Sequence, residues 1–229
     1  LLPRVAPRAT WTSVASAGLC TTGTTFRSDT PAAATDSKIY VFGGCLNNNT
    51  TTTTNDLWEF DAITGLYTQV HDGVVSLAPH ARGRTAVAWN PLTSKLLVFG
   101  GDNRATGPLP ADTILGDTWE YDPATNTWAD LTPAGGPSPR RWASMAFDPT
   151  FGGIVMFGGD VGGGVTSSDT WLWSGSSWAL INTGSVPARR MAHLLTRTAP
   201  DNDVLLCGGE DSVIIAPEVI RFLDVWTLS

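Results

Sequence analysis

Apolar residues in this chain gather in four short runs, 38–42, 95–99, 153–157 and 203–207, and none of them alternates cleanly with polar positions. Runs of that length are expected of strands covered on both faces. A glycine pair follows each run, and the second glycines, Gly44, Gly101, Gly159 and Gly209, stand 57, 58 and 50 residues apart. Recurrence at that interval marks a repeat architecture. Before each run lies a segment of mainly small residues, 30–34, 85–89, 143–147 and 191–196, joined to it by turn-forming stretches such as Asn90-Pro91 and Pro200-Asp201. After the glycines comes Asp-x-Trp, at Asp56/Trp58, Asp117/Trp119, Asp169/Trp171 and Asp224/Trp226; in the first three units Tyr67, Trp128 or Trp178 follows. The pattern predicts four strands per unit: a small-residue innermost strand, the apolar run, the Asp-x-Trp strand and an outer strand with the last aromatic. The segment from Asp61 to Gly65 and the pair Asp122-Pro123 suit tight turns between the third and fourth strands.

The apolar run into Gly-Gly, the spaced Asp-x-Trp and the later aromatic closely resemble kelch repeats, from about Arg27 to the C-terminus. The resemblance implies an all-β fold, a four-bladed β-propeller with four antiparallel strands per blade. Blade 1 spans about 27–72, blade 2 about 84–133, blade 3 about 141–183 and blade 4 about 190–229. Propellers range over roughly four to eight blades. The fourth unit stops at Ser229 before its outer strand, and Ala9-Thr10-Trp11-Thr12-Ser13-Val14 has the pattern of the outer strands at 127–131 and 177–181. The expectation is therefore one domain over 1–229 whose last blade is closed by residues 9–14. A piece of a larger propeller, or strand exchange between chains, is the alternative.

With 42% hydrophobic and 15% charged residues the chain can bury a sizeable core. Its formal net charge is −7 and no stretch is basic, which argues against nucleic acid or an anionic membrane as partner. No apolar run approaches the roughly 18 residues needed to span a bilayer. His71, His80 and His193 fall in unrelated places, with no zinc spacing and no nucleophile elbow. The chain also resembles galactose oxidase in its repeats, but the tyrosines such a copper site would need, Tyr40, Tyr67 and Tyr121, all occupy repeat positions. No cofactor is expected.

Arg27, Arg84, Arg141 and Arg190 lie 16, 16, 17 and 18 residues before the first glycine of each pair, and Cys45, Asp102, Asp160 and Glu210 follow the second. The start of an innermost strand and the end of its neighbour share one face, so four guanidinium groups are expected to ring one mouth of the channel beside three acids. Three uses suit that arrangement. One is an arginine–carboxylate network that satisfies buried charge. A second is an anion pocket, because the arginines look like those with which some kelch adaptors bind acidic peptides. A third is a cation site from Asp102, Asp160 and Glu210. Trp142, beside Arg141, is a candidate to stack on a ligand.

Function is expected on the loops of that face. The first carries overlapping glycosylation sequons at Asn48 and Asn49. The last, 212–223, is unusually apolar, and it is expected to cover the top of the domain, to extend the third strand with its last half, or to offer Val213, Ile214, Ile215, Ile220 and Phe222 as a docking patch. Cys207 stands where the other repeats have Phe or its equivalent and is expected to be buried. Cys20 and Cys45 are expected to share a face of blade 1 and to form a disulfide, which with the sequons suggests an extracellular protein. The sequence thus favours a non-catalytic binding or assembly module for a protein or glycan. A metal-dependent or anion-binding enzyme on the same scaffold is the alternative.

Overall fold

The computed structural model describes residues 27–46, 52–74, 77–103, 113–198, 203–215 and 218–228, with the backbone alone for 212–215, 218 and 219. These residues form strands and turns, without a helix among them. Blade 1 comprises β1 (Arg27–Ser28), β2 (Ala32–Ala34), β3 (Lys38–Leu46), β4 (Thr53–Asp61) and β5 (Leu66–His71). Blade 2 has β6 (Ala86–Asn90) and β7 (Lys95–Phe99), a short hairpin of β8 (Asp102–Asn103) and β9 (Thr113–Ile114), then β10 (Thr118–Asp122) and β11 (Thr127–Asp130). Blade 3 has β12 (Ser144–Asp148), β13 (Gly153–Phe157), β14 (Thr170–Trp173) and β15 (Trp178–Ile181). Blade 4 has β16 (Leu194–Arg197), β17 (Val204–Cys207), a hairpin of β18 (Glu210–Ile215) and β19 (Glu218–Arg221), and β20 (Val225–Leu228). Each blade is an antiparallel sheet in sequence order, and together they make a four-bladed propeller.

The innermost strands β2, β6, β12 and β16 pack side by side in that order. Small side chains permit this: Ala33, Ala86, Ala88 and Ala146 are buried where neighbouring sheets come closest. Three apolar clusters fill the three interfaces, blade 1 on 2, 2 on 3 and 3 on 4. In the first, Tyr40 stacks on Trp89 at 5.5 Å and Phe42 meets Trp128 at 5.2 Å. Fully burying one such aromatic contributes about 1.5–3 kcal/mol, so the interfaces rather than the isolated sheets hold the fold. β3, β7, β13 and β17 owe their unalternating apolar runs to this double cover.

Gly-Gly is where one blade is locked to the next. The second glycine donates its N–H to the carbonyl of an arginine at the start of the following blade: Gly44 to Arg82, Gly101 to Arg140, Gly159 to Arg190, each at 2.9 Å. The first glycine sits in the left-handed region so that this carbonyl can approach; at Gly100, with φ of 64°, a Cβ would lie 2.4 Å from the Arg140 oxygen.

Two expectations change. The last half of 212–223 does not lengthen the third strand of blade 4: β18 and β19 form a hairpin of their own ahead of β20. Cys207 is exposed, because the face of β17 on which Phe42, Phe99 and Phe157 meet a following blade has no such neighbour among the described residues. Closure by residues 9–14 lies outside the described residues.

Candidate functional site

The arginines follow two registers, and spacing alone blends them. Arg27, Arg82, Arg140 and Arg190 are structurally equivalent. Each donates Nη1 to the carbonyl of the first glycine of its own blade, at 2.9–3.0 Å, and grips the Asp of Asp-x-Trp with both terminal nitrogens. The tryptophan two residues on completes the unit, donating Nε1–H to the same carboxylate at 2.7 Å in all four blades. Burial by itself would raise these carboxyls, but the bonds from arginine hold Asp56, Asp117 and Asp169 below the usual carboxylate range. Arg82, Arg140 and Arg190 are almost wholly enclosed. These clamps join the second and third strands of a blade to its entry segment.

Arg27 and Arg190 therefore belong to the clamps and not to the channel mouth, a correction to the expected ring of four. Arg82 and Arg140 are the clamp arginines that spacing missed. A constant 18 residues separates Arg82, Arg140 and Arg190 from the first glycine, and each is paired with an Asp-x-Trp; that joint regularity was the sign.

Asp29, Arg84, Trp142 and Ala192 line the mouth at equivalent positions, all with φ of 53–56°. Their backbones bond in series around the axis: Arg84 N–H to Asp29 O, Trp142 to Arg84, Ala192 to Trp142, at 2.8–3.0 Å. Over this ladder runs a chain of ion pairs. Arg84 Nε donates to Asp29 at 3.1 Å and its Nη1 to Asp102 Oδ2 at 2.9 Å. Arg141 Nη1 donates to that same Asp102 oxygen at 2.8 Å and its Nε to Asp160 at 2.9 Å. Burial raises the Asp102 carboxyl and outweighs the guanidinium groups of Arg141 and Arg84 beside it. The half-buried Trp142 ring lies under both cations, with Arg84 4.0 Å and Arg141 4.9 Å from its centroid. Its π-face is thus engaged within the protein rather than left open for a sugar.

The third expected acid turns elsewhere. Glu210 faces Arg221 at 3.8 Å, on the β18–β19 hairpin. Among the described residues no three His, Cys, Asp or Glu side chains gather as a cation site, so the expected set Asp102, Asp160 and Glu210 is not assembled. The hairpin is tied to blade 3 through Asp211, which accepts from Arg189 Nε at 2.9 Å and from Thr166 Oγ1. Of the expected docking patch, Ile220 is partly exposed and Phe222 lies against the Arg190 guanidinium, 4.0 Å from its ring centroid. The side chains of Val213, Ile214 and Ile215 lie outside the described residues.

Cys45 is a buried free thiol with Sγ 4.0 Å from Asp29 Oδ2; burial, with the Asp29 charge, pushes it up to about 11. It takes no part in the expected disulfide, whose other member, Cys20, lies outside the described residues, as do Asn48 and Asn49. His193 is packed edge-on to Phe157 at 5.4 Å, and burial, helped by Arg190, lowers it to about 4. No helix among the described residues is long and apolar enough to cross a membrane.

Comparison with known proteins agrees with this geometry. The sequence profile of the KLHDC2/KLHL20/DRC7 Kelch-repeats domain matches residues 7–159. Two rice proteins (Oryza sativa subsp. japonica), putative adagio-like protein 2 and adagio-like protein 1, are each 28% identical over 204 residues. Both alignments cover 86% of this chain and 30% of the relative, so the chain spans less than a third of those proteins. Among solved structures, YjhT superposes with a TM-score of 0.67 at 15% identity, over 88% of this chain and 68% of that one.

Proposed function

The chain belongs to the Kelch-repeats domain family, and from that premise we propose that it is a non-catalytic binding module that receives an acidic segment of a protein partner at the channel mouth. One observation carries the reading. Arg141 is the least enclosed arginine of the mouth, its side chain 21% exposed; Nε and Nη1 are taken by Asp160 and Asp102, and Nη2 has no partner among the described residues. Two fixed carboxylates and the Trp142 ring hold the guanidinium in place, so a carboxylate arriving from solvent meets a donor that need not be ordered on binding. The segments between each glycine pair and its Asp-x-Trp differ in length from unit to unit, a feature suited to discrimination between partners.

A glycan has less to recommend it, because the Trp142 ring is already covered. An acidic ligand must approach a chain of net charge −7, which makes capture depend on the local cation rather than on the long-range field.

The test is capture by the purified chain of immobilised peptides ending in acidic residues, against amidated and Asn/Gln counterparts. Losing one charge-assisted bond of about 1.5–3 kcal/mol should weaken capture by Arg141→Ala roughly 10- to 100-fold, with partial recovery in Arg141→Lys. Equal capture by the wild-type chain and Arg141→Ala, or no preference for the acidic peptides, would sink the proposal.

A further inference from the structure

The inner strands run from the charged mouth to the opposite end of the channel, where register sets one residue of each blade at the same height. Ala34, Trp89, Phe147 and Arg197 are these equivalents, paired with Ile39, Leu96, Ile154 and Val204. One layer nearer the mouth the first three blades carry only Ala33, Ala88 and Ala146. Small walls behind a partly aromatic rim leave a cavity of about 650 Å³, to which all four inner strands contribute. That is ample for a small molecule.

Arg197 sets this cavity apart from plain channel space. Every other arginine among the described residues is paired with a carboxylate. Arg197 has no such pair among them, although it lines the cavity and is exposed. Asp36 stands on the same rim, exposed at the turn between β2 and β3, and forms no ion pair with it. The aromatic side is held in place: Trp89 is stacked on Tyr40 at 5.5 Å with the ring planes 11° apart, and Phe147 is buried. A ligand would not have to order these rings on binding.

We propose that this end of the channel binds a small aromatic monocarboxylic acid, its ring against Trp89 and Phe147 and its carboxylate on Arg197. The ring follows from the walls, since two of the four residues at this height are aromatic. The anion follows from a guanidinium that no carboxylate of the described chain satisfies. A single charge follows from Asp36, which opposes a second one on the same rim. Arg197 stands in blade 4 at the height where blades 2 and 3 present their rings, so one ring-sized molecule can touch all three. The site lies at the other end of the channel from Arg141 and does not rest on the reading of the mouth.

Titration calorimetry of the full chain with 3-phenylpropanoate, its amide and acetate tests this. The acid should bind about 10-fold more tightly than either counterpart, because the amide lacks the charge and acetate lacks the ring. Arg197→Gln should weaken the acid by roughly 10-fold while leaving the melting temperature unchanged, since Arg197 holds no carboxylate of the described chain. Ala34→Phe gives blade 1 the aromatic that blade 3 carries at this height and should block the cavity. Arg141→Ala, at the mouth, should bind the acid as the wild-type chain does. No preference for the acid over its amide overturns the proposal, and so does unchanged binding in Arg197→Gln or in Ala34→Phe. Binding lost in Arg141→Ala but kept in Arg197→Gln would move the acid to the mouth, which overturns this site while leaving the reading of the mouth intact.

Discussion

Blades 3 and 4 contain the same clamp, Arg140–Asp169–Trp171 and Arg190–Asp224–Trp226, with closely similar bonds, yet they differ in what covers it. The Asp169 side chain is 25% exposed and that of Asp224 39%. A Cβ on Gly158 would lie 2.5 Å from the Arg190 carbonyl, whereas the nearest atom to one on Gly208 is the Phe222 oxygen at 3.8 Å. Phe157 is buried against the next blade, and Cys207, one repeat later, is exposed. The clamp is thus a property of a single blade, written locally in Arg, Gly and Asp-x-Trp. Its energetic weight comes from the neighbour that excludes water around it.

The contrast can be broken at the clamp itself. Arg140→Ala leaves Asp169 without its cation inside a covered interface and should lower stability by about 3–5 kcal/mol; Arg190→Ala, whose Asp224 keeps more water, should lose clearly less. Urea unfolding of the two variants side by side checks this, and equal losses would mean that the neighbouring blade adds nothing to the clamp.

The glycine lock gives the next largest difference. Both Gly158→Ala and Gly208→Ala put a side chain at positive φ, at a strain of roughly 1–2 kcal/mol. Only at Gly158 must the Arg190 carbonyl also move, so its melting temperature should fall further, by several degrees beyond the Gly208 variant. Matching melting curves would contradict the packing described at this joint.

Acid separates the blade 3/4 interface from the clamps. His193 is neutral when folded and takes a proton only near pH 4, while in the unfolded chain it does so near 6.5. Its contribution is therefore full above about pH 6.5 and declines as pH falls toward 4. Asp117 and Asp169, held low when folded, contribute above the ordinary carboxylate value of about 4 and lose that contribution as pH falls through their depressed folded values. The stability curve should show both stages, and His193→Phe should flatten the first while leaving the second. A slope between pH 6.5 and 4 that survives in His193→Phe would assign it to another group.

The smallest effect belongs to the uncovered face. Leu223 is 98% and Val225 61% exposed, and Leu223→Ser or Val225→Thr should change stability by less than about 0.5 kcal/mol. A larger loss in denaturant titration would reveal that this face is covered in solution.

The sequence by itself determined the repeat, the strand order within each blade and the buried aromatics, because these depend on short-range pattern: an apolar run must be covered, a glycine pair must turn, and Asp-x-Trp closes on itself two residues apart. It did not determine which arginine does what. Arg82 and Arg84, and Arg140 and Arg141, stand within two residues of one another, so a small slip in counting exchanges a clamp for a mouth residue. The choice is made by carboxylates 29 to 35 residues away for the clamps and by Asp102, shared between Arg84 and Arg141, for the mouth. The exposure of Cys207, the covering of Trp142 and the free thiol of Cys45 were likewise decided in three dimensions. Burial and charge pairing depend on which strand lies across the interface, and the identity of a residue within its own repeat carries no record of that neighbour.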